Sequence, residues 1–253
     1  MRDAAPRLAA FLLAGLICAP AMAQGDAQSV SSTVSVQAVE PTSDGRAKVA
    51  ECSGALIAPD LVLTSGHCLD GASGPTRVAV FAYRDGKPLP KPLLAKAIAR
   101  FPGHVIGWKD KAGDPETRQS EIAADLALIR LAEPVAGARP LVIGRGISGG
   151  ISGAGASSPG GRSGLMKSAK LSSVRASTGA GAGVVFATAS KTVCGGDSGG
   201  PAVAIGADGS SALWGVVSAV LKPKGGCGTR IAITPVDQSH EGFRAMRAAV
   251  GAR

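Results

Sequence analysis

Aromatic side chains are scarce in this 253-residue chain: one Tyr, two Trp and five Phe, 3% in all. Apolar residues still make up 45%, so a core can form, and it must rest on Val, Leu, Ile and Ala. Lys and Arg are scattered, with no dense run and almost no aromatic interleaving. That removes the basic-patch pattern of a nucleic-acid binder, and no nucleic-acid partner is expected despite a formal charge of +9. The charge reads instead as a basic, soluble surface. No Cys-x-x-Cys pair occurs, which argues against zinc, and no metal is expected. Past the N-terminus, no apolar run is long enough to cross a bilayer. Histidine is limited to His67, His104 and His240. Glycine, by contrast, is abundant at 36 residues, and there are 16 prolines. That balance favours many short strands and tight turns over long helices.

Arg2 and Arg7 precede an apolar run over residues 8–19, and Ala21-Met22-Ala23 supplies small residues for a signal peptidase. The pattern predicts a signal peptide over residues 1–23, cleaved after Ala23. The run is short and Pro20 interrupts it, which disfavours a membrane anchor. Ile17 stands before Cys18 where a lipoprotein signal has a small residue, so lipidation is disfavoured too. A secreted or periplasmic chain is expected, with no integral membrane segment after cleavage. Four cysteines then remain: Cys52, Cys68, Cys194 and Cys227. An even number in an exported chain predicts two disulfides, and spacing alone leaves three pairings open.

Along the chain, residues 24–47 are polar and β-leaning, with Thr33-Val34-Ser35-Val36 alternating as a half-buried strand would. Residues 53–65 read as two strands around the turn Ala58-Pro59-Asp60. Residues 77–83 alternate; residues 84–92 and 101–120 read as loops. The nearly continuous apolar run over residues 126–131 suits a strand buried on both faces. Gly and Ser dominate residues 144–164, so the join between two halves, 24–143 and 144–253, is placed just before them. Strand signals return over residues 171–174, 184–188, 202–205, 213–220 and 230–234. Phe243, Met246 and Val250 then fall at helical spacing, predicting a closing amphipathic helix from Asp237 onward, with His240 on its exposed face.

Three short segments carry chemistry: Leu63-Thr64-Ser65-Gly66-His67-Cys68, Ala124-Asp125-Leu126-Ala127, and Cys194-Gly195-Gly196-Asp197-Ser198-Gly199-Gly200-Pro201. Glycines on both sides of Ser198 permit a sharp turn and close substrate approach. Such a turn can aim the N–H groups of Gly196 and Ser198 at one point, as an oxyanion hole requires. A serine hydroxyl needs a base at neutral pH. His67 follows a buried-looking strand and precedes a cysteine that could pin it, so it is the natural base. Its other nitrogen needs a buried carboxylate, and Asp125 at the mouth of an apolar strand fits.

These segments resemble the His, Asp and Ser motifs of the chymotrypsin–trypsin family, in that family's order. The resemblance covers roughly residues 47–250. It implies an all-β fold of two six-stranded antiparallel β-barrels with a C-terminal helix. The implied activity is serine endopeptidase, with His67, Asp125 and Ser198 as catalytic triad and no cofactor. It implies the disulfides Cys52–Cys68 and Cys194–Cys227, protein or peptide substrates, and a monomer. Leu213-Trp214-Gly215-Val216-Val217-Ser218 resembles the strand lining the substrate cleft, so Ser218 is expected to hydrogen-bond Asp125.

The sequence also departs from the family. Thr192, six before the nucleophile, stands where the pocket floor is expected, and Val220 and Ile231 stand at wall positions that are glycine in many members. Bulky walls predict a shallow pocket favouring small apolar side chains. Ala219 replaces a common Trp. No Ile-Val-Gly-Gly-like segment occurs between Gln24 and Lys48. Asp197 therefore lacks the N-terminal partner that many members supply by activation cleavage. Either the processed chain is active as it is, or another basic group holds Asp197, or the oxyanion hole is unformed. A catalytically silent homologue that binds through the same cleft is the alternative from another class. The esterase pattern Gly-x-Ser-x-Gly is matched literally around Ser198, but His67 lies far upstream and strands do not alternate with helices.

Overall fold

In the computed structural model, residues 21–107, 122–177, 183–221 and 223–252 are described. The chain opens with α1 (Ala21–Ser32), then β1 (Thr33–Pro41), β2 (Ala47–Ala58), β3 (Leu61–Thr64), β4 (Val78–Phe81), β5 (Tyr83–Arg84), β6 (Lys87–Pro88) and β7 (Leu93–Arg100). It continues through β8 (Val105–Ile106), β9 (Ile122–Ala123), β10 (Ala127–Leu131) and β11 (Val142–Ile143). The second half holds β12 (Gly150–Gly153), β13 (Lys167–Ala176), β14 (Val185–Cys194), β15 (Pro201–Ile205), β16 (Ser211–Val220), β17 (Cys227–Pro235) and α2 (Glu241–Ala249).

The first barrel closes in the order β1-β2-β3-β10-β7-β4. In the second, β16-β15-β12-β13-β14-β17 is closed by pairing of β16 with β17. The two antiparallel barrels and terminal helix are as the resemblance implied. One addition was not foreseen: β11 lies parallel to the start of β16, Val142 opposite Ala212.

Aliphatic packing replaces the missing aromatics. Val36, Leu56, Val62, Val80 and Ile129 fill the first barrel. Ile151, Val185, Trp214, Ile231 and Ile233 fill the second. A third cluster joins the barrels, with Leu63 and Leu128 from one side, Leu213 and Val216 from the other, and Phe243, Met246 and Val250 of α2. The β10 run is buried as its sequence implies, apart from Arg130, which pairs with Asp60 at 2.8 Å.

Three local expectations change. Residues 24–32 are helical, not extended. The hydroxyls of Ser32 and Thr33 bond back to the carbonyls of Gln28 and Ser29 at 2.9 and 2.7 Å. Ser29 Oγ also meets Ser152 Oγ on β12 at 2.7 Å, so tertiary contact overrides the weak β preference. Residues 84–92 are not simply a loop: β5 and β6 form a hairpin around Asp85-Gly86, both at positive φ, as a two-residue hairpin turn demands. His240 is exposed as expected, but α2 begins at Glu241 and not at Asp237, so His240 stands before the helix. It is the N-cap, its Nδ1 accepting from Gly242 N at 3.0 Å, with its ring against Phe101. Part of the expected 101–120 loop lies outside the described residues. No helix among the described residues is long and apolar enough to cross a membrane.

Candidate active site

The site grows from the seam between the barrels. After β3 the chain turns into a short 3₁₀ segment, Gly66–Leu69, carrying His67. The disulfide Cys52–Cys68 ties that segment to β2, and Cys194–Cys227 ties the start of the Ser198 turn to β17. Both pairings are those the resemblance implied.

Asp125 is fully buried just ahead of β10. Its Oδ1 accepts from His67 N and its Oδ2 lies on His67 Nδ1, each at 2.9 Å. A carboxylate can only accept, so the ring proton sits on Nδ1 and leaves Nε2 with its lone pair. Burial pushes the Asp125 carboxyl up, but its interaction with the adjacent His67, through the ring and the backbone N–H, holds it below its ordinary value. The Ser218 hydroxyl contributes least to that lowering, and its Oγ meets Thr234 Oγ1 at 2.7 Å.

Ser198 lies in the turn between β14 and β15, half-buried. The sulfur of Cys68 stands 3.9 Å from His67 Nε2 and 3.8 Å from the Ser198 carbonyl oxygen, so the imidazole and the Ser198 backbone flank one atom. The turn requires glycine at Gly199. Its φ is +82°, and a Cβ there would come within 2.2 Å of Ser53 O and 2.1 Å of Thr64 Oγ1.

Sequence reasoning missed Ser53. Its amide donates to Ser198 O at 2.7 Å, its hydroxyl donates to Gly196 O at 2.7 Å, and the same oxygen accepts from Ala154 N at 2.8 Å. One buried first-barrel serine therefore grips both ends of the turn that carries the expected oxyanion donors. Thr64 Oγ1 donates to Ser53 O at 2.7 Å, and Ser65 Oγ donates to Val217 O at 2.8 Å. The sequence signal for Ser53 is only its place next to Cys52. His104, read as a loop residue, packs close to the site: a Cβ on Gly66 would lie 2.9 Å from its ring and 3.2 Å from Asp125 Oδ1. Its Nε2 is held 2.9 Å from Asp70.

Asp197 is nearly buried. Gly155 N donates to its Oδ1 and Cys194 N to its Oδ2, at 2.9 and 2.8 Å. Lys167 Nζ lies 2.6 Å from Oδ2. Burial nonetheless dominates and raises the carboxyl above its ordinary value, against the pull of Lys167 and the two amides.

The expected pocket residues separate. Val220 and Ile231 are direct partners across β16 and β17. Thr192 is exposed, and its carbonyl lies 3.4 Å from Lys167 Nζ. The open cavity beside the Ser198 turn, about 390 Å³, is lined by Gly195, Gly196, Gly225, Gly226, Ser163 and Glu51 among others.

A two-barrel fold with a serine turn, a histidine and a buried aspartate at the seam defines the class, and the comparisons agree with it. A family model described as Trypsin matches residues 23–241, and the chain belongs to that family. Solved structures share the fold. HL collagenase is 18% identical, with a TM-score of 0.58 over 88% of this chain and 95% of that one. The active form of the Rv3671c protease from M. tuberculosis is 22% identical, with a TM-score of 0.52 over 98% of this chain and 96% of that one. No curated protein matches by sequence search.

Proposed function

We propose that this chain is an exported serine endopeptidase that cleaves peptide bonds through an acyl-enzyme on Ser198. The observation that carries the proposal is the Asp125–His67 pair, fixed through both ring and backbone, beside a glycine turn gripped by Ser53. Ser198 Oγ attacks the scissile carbonyl carbon as His67 Nε2 takes its proton. Negative charge on the carbonyl oxygen is met by Gly196 N–H and Ser198 N–H. His67 then gives the proton to the departing amine, and water repeats the sequence to release the acid. Asp125 holds the ring tautomer and stabilises the imidazolium. No step calls on a cofactor.

The half-buried Val220 at the end of β16 supports a shallow pocket that favours small apolar residues, Ala or Val, before the cleaved bond, whereas its strand partner Ile231 is fully buried in the barrel core and forms no wall. The two disulfides support an oxidising compartment, outside the cell or in a periplasm.

The test is a fluorophosphonate probe applied to the folded, exported protein. Labelling of Ser198 is expected, absent in Ser198→Ala and steeply reduced in His67→Ala. Folded protein that takes no label would instead favour a silent homologue that binds a partner through the cleft. A panel of peptides varied at the residue before the scissile bond tests the pocket, and efficient cleavage after Arg alone contradicts it.

A further inference from the structure

We infer that Lys167 is the built-in positioning cation of the nucleophile turn, so that the signal-processed chain needs no second N-terminal cleavage to become competent. The inference rests on the catalytic reading of Ser198. Asp197 sits between the two residues, Gly196 and Ser198, whose N–H groups form the expected oxyanion hole. A buried carboxylate there must be charge-paired and hydrogen-bonded, and Lys167 Nζ supplies the charge at 2.6 Å. The lysine is itself mostly buried, its side chain 19% exposed against 5% for Asp197.

The fold builds this contact rather than leaving it to a flexible side chain. Strand register sets Lys167 directly opposite Gly153. A Cβ on Gly153 or on Gly155 would fall 2.6 Å from Asp197 Oδ1, so both glycines clear the space the carboxylate occupies. The ammonium has three donors, and three acceptors surround it: Asp197 Oδ2, the Ala156 carbonyl and, at 3.4 Å, the Thr192 carbonyl. Lys167 therefore joins β13 to the loop after β12, to the end of β14 and to the nucleophile turn. Lys191 lines the same small cavity, but Lys167 is the cation paired with Asp197 there.

The N-terminal segment is engaged elsewhere. Gln24, the first residue after the predicted cleavage, lies in α1. That helix is fixed to β12 by Ser29 Oγ on Ser152 Oγ, and Thr33 Oγ1 meets the same hydroxyl, each at 2.7 Å. A buried ion pair is a weak source of net stability but a strong constraint on where its members sit. Its value here is in the aim of the Gly196 and Ser198 amides.

The experiment uses exported protein of four kinds: wild type, Lys167→Met, Lys167→Arg, and a chain with Gly-Ser-Gly-Ser inserted after Ala23, its new N-terminus checked by sequencing. Fluorophosphonate labelling of Ser198 is followed with thermal midpoints. The extended chain is expected to label at the wild-type rate. Lys167→Met is expected to lose about 100-fold or more in maximal labelling rate, as for loss of an oxyanion donor, with little change in half-saturating probe concentration. Lys167→Arg should recover most of that loss. Wild-type labelling by Lys167→Met, or loss of labelling in the extended chain, overturns the inference.

A second readout does not depend on activity. In reductive methylation followed by mass spectrometry, Lys167 should react far more slowly than exposed Lys48 and Lys87, and Asp197→Asn should release it. Lys167 reacting like Lys48 in wild type overturns the ion pair itself. Unlabelled wild type with a protected Lys167 would count against the catalytic reading, and against Lys167 as a positioning residue, while leaving the ion pair standing.

Discussion

At the scale of single residues, the proposed site depends on buried groups outside the triad. Ser53 satisfies Gly196 O, Ser198 O and Ala154 N from one position. In Ser53→Ala the amide bond to Ser198 O survives, while Gly196 O and Ala154 N lose their partner. Unsatisfied buried groups cost about 1–3 kcal/mol, so the urea midpoint should fall accordingly. Fluorophosphonate labelling should slow as well, because the lost contact positions the oxyanion turn. A Ser53→Ala protein that labels at the wild-type rate would show that the turn holds without it. Asp125 gives a prediction with a sign. Its folded carboxyl lies below the ordinary value near 3.9, so the unfolded chain binds more protons there. The resulting stability is full above the unfolded value and is lost as pH falls through the folded one. Between about pH 6 and pH 3, near that ordinary value, Asp125→Asn should therefore lose less of its urea midpoint than wild type. At neutral pH the same variant should lose roughly 10⁴ in turnover, because the tautomer is no longer held. An acid loss equal to that of wild type would contradict the buried, His67-paired carboxylate.

At the scale of elements, legibility followed locality. Strands with alternating or continuous apolar residues, such as β1 and β10, could be read because burial acts on each residue in turn. The Cys194-to-Pro201 segment could be read because its glycines and its serine are adjacent in sequence. Three features could not be read, for a shared reason. The α1 helix depends on Ser152, more than a hundred residues away. The two-residue β11 depends on β16, and the Lys167–Asp197 pair depends on closure of the second barrel. None leaves a periodic trace. By contrast, α2 was foreseen from Phe243, Met246 and Val250, and it also offers a test. Phe243 is completely buried in the cluster that joins the barrels. Phe243→Ala should cost about 3–5 kcal/mol by lost burial and an unfilled cavity. Equilibrium urea unfolding measures this, and a loss under about 1 kcal/mol would mean that the seam collapses around the gap.

For the whole molecule, the proposed site is divided between two barrels. His67 and Asp125 come from the first and Ser198 from the second, while the cluster containing Leu63, Leu213 and Phe243 is common to both. Ser53 adds polar bonds across the same seam. A shared core of this kind couples the barrels, so they should unfold as one cooperative unit rather than in sequence. Trp214 lies inside the second barrel and reports its packing, its Nε1 donating to Ser148 O at 3.0 Å. In a Trp108→Phe background it is the remaining tryptophan. Its fluorescence and Ser198 labelling should then be lost at one urea concentration, the first reporting barrel packing and the second the divided site. Adding Phe243→Ala should move both transitions down together, because the residue stabilises the seam and not one barrel alone. Labelling lost well before Trp214 fluorescence would show instead that the barrels part while each remains folded. The seam would then be a docking surface between two independent domains.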